Sequence, residues 1–334
     1  MLNDATLEKY IAELSITGLT SNPTIFDNAI TNSDDYDQAI RESDQGFTNE
    51  ELFFSLAIED IQRAADLFRP VYDRTNGVDG FVSIEVSPLL AYDTESTIKA
   101  AKDIYQKVNR PNAFIKIPGT PEGLSAIEQA IAQGIPINIT LLFSAEQYEA
   151  AANAYLNGVE ARLVNGLNPD VRSVASVFVS RWDKAIIGKV PDPLLNELGL
   201  AVSGKTYQAY LQFLQSGRVQ KLMNLGVSPQ RLLWASTGAK DPSVSDVIYI
   251  ENLKAPFTVN TMPENTLLAF ADHGEDDKSL QGLSDKTEAS LQQFKNEGVD
   301  VDSLAEQLQK EGAASFIESW NHLLASIDQK RNII

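Results

Sequence analysis

Lys116 is the only charged residue in the apolar run Ala113-Phe114-Ile115-Lys116-Ile117-Pro118. Burial disfavours an ammonium and lowers its pKa, the condition under which a lysine amine attacks a carbonyl and forms a Schiff base. A lysine at a strand end can equally snorkel to solvent, so its neighbours decide the matter. Glu85 lies in the preceding apolar run, Phe81 to Ser87. A partly desolvated carboxyl poised between charge states suits the proton transfers of carbinolamine formation and hydrolysis. It could also serve only as the structural ion-pair partner of Lys116. Asn138 and Thr140, in the next run, supply an amide and a hydroxyl that could orient substrate hydroxyls or a water, or could simply be satisfied polar filling.

Two cations follow strand-like runs: Arg181 directly after Ser180, and Lys240 in the turn Ser236-Thr237-Gly238-Ala239-Lys240. Arg and Lys both pair with phosphate oxygens, so such a rim fits a phosphorylated substrate, although lone surface cations are commonly just solvated. They stand out because the chain has 27 Lys and Arg against 46 Asp and Glu, a formal charge of −19. A surface so acidic repels a phosphate backbone and argues against nucleic-acid binding. The chain has no cysteine, which excludes disulfides, thiolate nucleophiles, zinc ribbons and iron–sulfur clusters. With only His273 and His322, a histidine-rich metal site is not expected, and both lie outside the polar strand ends. No GxxxxGK[ST] or strand-following GxGxxG is present, so ATP and dinucleotide sites have no support. The loop Gly119-Thr120-Pro121-Glu122-Gly123 reads instead as a helix N-cap with proline at the first helical position.

These residues need elements to carry them. Short apolar runs at Ile16 to Asn22, Phe81 to Ser87, Ala113 to Pro118, Ile135 to Phe143, Ser173 to Ser180, Arg231 to Ser236 and Pro256 to Asn260 alternate with longer stretches. Amphipathic spacing predicts helices over Glu50 to Tyr72, Glu95 to Val108, Gly123 to Ala132 and Ala145 to Val164. The alternation is that of a parallel α/β sheet. Asp183 to Asn224 should hold more than one helix, and the tail from Ser279 to Lys330 should pack as helices outside the barrel or sheet. With no repeat or linker, a single domain over residues 1–334 is expected.

Strand parity separates the parallel architectures, because successive side chains face opposite sides. Ile115 and Ile117 oppose Phe114 and Lys116; Val82, Ile84 and Val86 oppose Ser83, Glu85 and Ser87. Ile137, Ile139 and Leu141 oppose Asn138 and Thr140, while Val177 and Val179 oppose Ser176, Phe178 and Ser180. A doubly wound sheet buries both faces under helices and would not line one of them with Glu, Lys, Asn and Thr. A barrel turns the apolar face to its helices and the polar face inward, so the expected fold is a TIM-type (β/α)8 barrel.

No run approaches the roughly 18 apolar residues of a membrane helix. The polar start, Met1-Leu2-Asn3-Asp4, resembles neither a secretory signal nor a transit peptide. A cytoplasmic protein with no membrane partner is expected, and Asn138-Ile139-Thr140 is a chance sequon.

Beyond these readings, Gly18-Leu19-Thr20-Ser21-Asn22-Pro23-Thr24-Ile25-Phe26 resembles the transaldolase N-terminal signature. Ile115-Lys116-Ile117-Pro118-Gly119-Thr120-Pro121-Glu122-Gly123 resembles the Schiff-base segment of that family. Val82 to Val86, Asn138 to Phe143, Ser176 to Arg181 and Trp234 to Thr237 match in order and spacing, so the resemblance runs from about Leu2 to the C-terminus. It implies a cofactor-free class I enzyme of the pentose phosphate pathway. Such an enzyme moves a dihydroxyacetone unit reversibly from sedoheptulose 7-phosphate to glyceraldehyde 3-phosphate, giving erythrose 4-phosphate and fructose 6-phosphate. Carried over, Lys116 forms the imine, and Glu85, with a water held by Thr140, moves its protons. Asn22, Asn138 and Ser176 bind hydroxyls of the dihydroxyacetone unit, Arg181 holds the phosphate, and Ser236 and Lys240 fall in the second phosphate-binding loop. Phe178 fits transaldolases better than the related fructose 6-phosphate aldolases, which tend to carry tyrosine there.

The resemblance also carries a departure. Family members place an acid/base aspartate for the sugar C4 hydroxyl on a strand before the helix that here starts near Asn3-Asp4-Ala5-Thr6-Leu7. Only seven strand runs precede the tail, against eight in a full barrel, and Asp4 is expected to cap its helix instead. Two alternatives therefore remain: an aldolase releasing free dihydroxyacetone through the same imine, and a truncated sugar-phosphate binder of low activity. A homodimer is compatible with the sequence.

Overall fold

The computed structural model describes residues 1–43, 46–280 and 286–333. All seven apolar runs contain strands: β1 (Leu19–Thr20), β2 (Val82–Glu85), β3 (Ala113–Pro118), β4 (Ile137–Leu142), β5 (Ser173–Phe178), β6 (Arg231–Ala235) and β7 (Thr258–Asn260). They pair in parallel, in chain order, within one sheet. A doubly wound sheet reverses its strand order at a switch point; an unbroken sequential order is the winding of a TIM-type barrel. Among the described residues β1 and β7 stay edge strands, so the sheet is a curled half-barrel and not a closed ring.

Local signals start the intervening helices. Thr48 and Glu51 form a reciprocal capping box at the head of Asn49–Arg74. Asp93, Thr120 and Ser144 accept from the Ser96, Gly123 and Gln147 amides to start Thr94–Val108, Pro121–Ala132 and Ala145–Val164. Pro121 takes the first helical position, as the sequence predicts. Gly123 permits the tight return after β3, since a Cβ there would run into the Pro118 carbonyl. Near the start, Asp4 Oδ1 accepts the Thr6 amide at 3.0 Å, but the N-cap of Thr6–Glu13 is Ala5 with no side-chain cap, so Asp4 lies one residue ahead of the capping position expected of it. After β5 the long connection holds three α-helices, Ser180–Ala185, Leu198–Gln215 and Gly217–Asn224, and a short 3-10 helix, Asp192–Leu194. No helix among the described residues is long and apolar enough to cross a membrane.

The two strand faces feed two packed clusters. Val82, Ile84, Ile115, Ile117, Ile137, Ile139 and Val177 join the cluster beneath the surrounding helices. Phe81, Phe114, Val174, Phe178 and Leu233 fill the inner side with residues of the last helix. Leu141 departs from strict parity, joining the inner cluster while Leu142 joins the outer one. The pairing of β4 with β5 shifts register between Ile139 and Leu142, and Leu141 sits at φ 59°. A bulge consumes one residue and turns every later side chain over.

The tail is helical, at Thr287–Asn296 and Val301–Ile333, while residues 281–285 fall outside the described residues. The longer helix packs on both sides: Trp320, Leu323 and Ile327 join the outer cluster, as expected of the tail, while Leu304, Ala305, Leu308 and Ala313 cover the inner one. Its Gln309 Nε2 donates to the carbonyls of Gly119 and Leu141, both at 3.0 Å, at the carboxyl ends of β3 and β4. Amphipathic spacing shows that a helix has an apolar face; it carries no information on which part of the sheet that face covers.

Candidate active site

In-register pairing sets Glu85, Lys116 and Asn138 side by side on β2, β3 and β4. Lys116 Nζ donates to Glu85 Oε2 and to the Ser21 carbonyl, each at 3.1 Å. Both side chains are buried, at 6% and 7% residue exposure. Burial pushes the Glu85 carboxyl above the usual carboxylate range, and the Lys116 ammonium opposes that shift without cancelling it. Such a carboxyl accepts a proton more readily than a solvated one.

Beside the pair runs a second set of bonds. Ser21 Oγ donates to the Ser83 carbonyl at 2.9 Å, Asn138 Nδ2 to Ser83 Oγ at 3.1 Å, and Ser176 Oγ to Asn138 Oδ1 at 2.6 Å. These contacts fix the orientation of the Asn138 amide. Asn138 and Thr140 are themselves buried, at 2% and 1%, which removes them as a glycosylation site. Thr140 lies two residues beyond Asn138, opposite Pro118, and its carbonyl accepts the Gly119 amide at 2.8 Å. Asn22 begins the helix Pro23–Asn32, its Oδ1 accepting the Ile25 amide at 2.9 Å. That bond commits its carbonyl end to capping and leaves the amide NH2 as its donor for a ligand.

Arg181 follows β5 in the short helix Ser180–Ala185. Its guanidinium carbon lies 5.5 Å from the ring centre of Phe178 and 5.9 Å from that of Phe316. Burial pushes it down from its ordinary value, with Glu311 opposing, and an arginine stays cationic regardless. Ser236, at φ 55°, directly follows β6 with its Oγ 2.9 Å from Ser180 Oγ. Lys240 lies further along this loop, lining an outer cleft of about 510 Å³ with Asp241, Ser245, Asp246 and His273. Its Nζ reaches back to 3.8 Å from where a Gly238 Cβ would stand.

The structure thus gathers Lys116 with Glu85, Asn138 with Ser176, and Phe178 with Arg181, while Lys240 lines the cleft on the loop after β6. His273 bridges Asp246 and Asp272 at the surface, and His322 meets Asp27. Sequence reasoning missed four contributors: Ser21, Ser83, Gln309 and Phe316. Ser83 was open to discovery, since it shares parity with Glu85. The other three act through a backbone carbonyl or from a helix whose course no periodicity reveals.

Asp183 was missed too. Buried two residues after Arg181, it accepts the Gly199 amide at 3.1 Å and the Tyr249 hydroxyl at 2.8 Å. Burial raises its carboxyl from 3.8 to about 6, more than these hydrogen bonds lower it. The folded chain therefore binds this proton more tightly than the unfolded chain. The stabilisation is complete below the unfolded value and is lost as pH rises through the folded one. Asp183→Asn, whose amide oxygen can still accept from Gly199, should gain up to roughly 3 kcal/mol relative to the native chain between about pH 4 and 7. Denaturant unfolding of both proteins across that range is the check, and a difference independent of pH refutes the assignment.

Comparison with known proteins agrees with this geometry. The family described as Transaldolase/Fructose-6-phosphate aldolase matches residues 1–327. A transaldolase of Arthrobacter sp. (strain FB24) is 44% identical over 338 residues, covering 98% of this chain and 91% of the relative. Transaldolases of Thermobifida fusca (strain YX) and Thiobacillus denitrificans (strain ATCC 25259 / T1) are 42% and 40% identical, each across 98% of this chain and over 92% and 94% of the relative. With a sequentially wound parallel half-barrel and a buried Lys–Glu pair at its strand ends, the chain belongs to the transaldolase/fructose-6-phosphate aldolase family.

Proposed function

We propose that the protein is a cytoplasmic transaldolase, which transfers a dihydroxyacetone unit between ketose and aldose phosphates through an imine on Lys116. The observation that carries this is the Lys116–Glu85 contact of 3.1 Å between two buried side chains. Glu85 takes a proton from the Lys116 ammonium, freeing the amine to attack the C2 carbonyl of sedoheptulose 7-phosphate or fructose 6-phosphate. It returns that proton to the carbinolamine hydroxyl, which leaves as water, and the iminium forms. Thr140 holds the water through which these protons pass.

The iminium draws the electrons of the C3–C4 bond into an enamine as the C4 hydroxyl gives its proton to a water molecule and an aldehyde departs. Among the described residues the buried carboxylates are Glu85, Asp183 and Glu251. Asp183 is held by Gly199 and Tyr249, and Glu251 by Lys278 and the Glu275 amide. Glu85 alone meets the amine, so its part is confined to the imine and neither of the others serves the C4 hydroxyl. Asn22, Asn138 and Ser176 bind the hydroxyls of the retained unit, and Arg181, with Ser236 and Lys240 on the neighbouring loop, takes the phosphate.

Phe178 favours transfer over simple cleavage. It packs against Phe143 at 5.4 Å and Arg181 at 5.5 Å, and a phenyl ring offers no hydroxyl to hold a water against the enamine. In coupled assays, fructose 6-phosphate with erythrose 4-phosphate should yield sedoheptulose 7-phosphate and glyceraldehyde 3-phosphate. Omitting the acceptor should nearly stop turnover. Equal turnover without an acceptor overturns the transferase reading in favour of an aldolase.

A further inference from the structure

One aromatic ring stands over both cations of the site. The Phe316 ring centre is 5.9 Å from Lys116 Nζ and 5.9 Å from the Arg181 guanidinium carbon, and 6.5 Å from the Phe178 ring. Phe316 belongs to the C-terminal helix, far from the strands in sequence, and it is half-buried. Its placement is built rather than incidental. Gln309, Gly312 and Phe316 recur at three- and four-residue spacing and so share one helical face. Gln309 pins that face to the Gly119 and Leu141 carbonyls. Gly312 lets it approach, since a Cβ there would lie 3.0 Å from Leu141 Cδ2 and 3.2 Å from Arg181 Nη1.

We infer that Phe316 is a specificity-determining residue that shields the Lys116 adduct from water, so that the enamine persists until an aldehyde arrives. This rests on the imine reading given above. Before cleavage, a carbon chain bonded to Lys116 Nζ with its phosphate at Arg181 joins two points that face the same ring. Once the aldehyde phosphate departs, the dihydroxyacetone enamine stays on Nζ, still facing that ring at 5.9 Å. That ring occupies volume from which water would otherwise reach the adduct. The loss it prevents is defined: the enamine carbon takes up a proton to give the iminium, and one water then cleaves the iminium to free amine and dihydroxyacetone, returning that proton. Phe178 closes one side of the chain's path from β5, and Phe316 covers it from the C-terminal helix.

The measurement is the partition of the adduct between transfer and release. Each protein is given fructose 6-phosphate at fixed erythrose 4-phosphate, and sedoheptulose 7-phosphate and free dihydroxyacetone are quantified together. Phe316→Leu should raise the ratio of release to transfer about tenfold while leaving Lys116 trappable by borohydride with fructose 6-phosphate. Gln309→Met, which removes both carbonyl pins but keeps the ring, should raise the ratio by a smaller factor. A merely structural loss would lower both products together and leave their ratio unchanged. An unchanged ratio in two variants that still trap Lys116 overturns the inference and spares the imine reading. If the native protein itself fails to trap, both fall. Should Phe316→Leu fail to trap while Gln309→Met traps, the ratio of the latter decides.

Discussion

Lys116→Met is expected to lower turnover by at least about 10⁴-fold, the scale on which enzymes lose activity when a covalent nucleophile is removed. Mass spectrometry after borohydride treatment with fructose 6-phosphate should find no labelled chain, whereas the native protein carries the adduct on Lys116. The same change should also cost stability, because it strands the buried Glu85 carboxyl without the ammonium 3.1 Å away. Breaking one side of a buried pair costs about 3–5 kcal/mol. Burial already holds the Glu85 carboxyl above its ordinary range, and without the cation it rises further. A group raised in the folded state stabilises at low pH and loses that contribution as pH rises. The Lys116→Met protein should therefore fall furthest behind the native chain near neutral pH and recover as pH approaches the ordinary carboxylate range. Adding Glu85→Gln should restore most of the neutral-pH loss while leaving the enzyme inactive. A double variant no more stable than Lys116→Met would show that the pair is not coupled as its geometry implies.

Much of this site was legible because strand chemistry is periodic. Alternation alone put Glu85, Lys116, Asn138 and Ser176 on one face, and parallel pairing then makes in-register neighbours of the first three. Seven apolar runs gave seven strands, with the ends trimmed where backbone pairing stops. Leu141 defeated the alternation because a bulge is a local backbone event at φ 59°, and its flanking residues look no different from regular strand. Asn22 was placed by resemblance as a ligand to hydroxyls; its second task, capping the helix Pro23–Asn32, depends on which of its polar ends meets the Ile25 amide. The larger omission was the C-terminal helix. Its Gln309 contacts residues 190 and 168 positions away in the chain, and no pattern within a helix encodes so distant a partner.

The acidity of the whole chain bears on how the substrate is held. A net charge of −19 opposes the approach of a sugar phosphate from a distance. The recognising charge must then be local and shielded from bulk solvent, where screening is weak. Arg181 meets that description, being partly buried between the Phe178 and Phe316 rings.

Glu85→Gln separates proton transfer from amine chemistry and should lower kcat by about 10²–10⁴-fold, the usual contribution of a general acid–base. Glutamine keeps the shape of the side chain, and its amide oxygen can still accept from Lys116 Nζ, so KM should change little. Imine formation should slow, yet borohydride should still label Lys116 given time, because the nucleophile remains. The pH dependence supplies an independent check. Glu85 must be ionised to take the first proton from the ammonium, and burial keeps its carboxyl above the usual range. The native enzyme should therefore lose activity on acidification at a higher pH than a solvated glutamate, near 4.3, would give. In Glu85→Gln that acid limb should disappear, leaving a low rate set by whatever solvent can supply. An acid limb that survives the substitution unchanged, or a fall in kcat of less than about tenfold, would move the proton shuttle from Glu85 to another group.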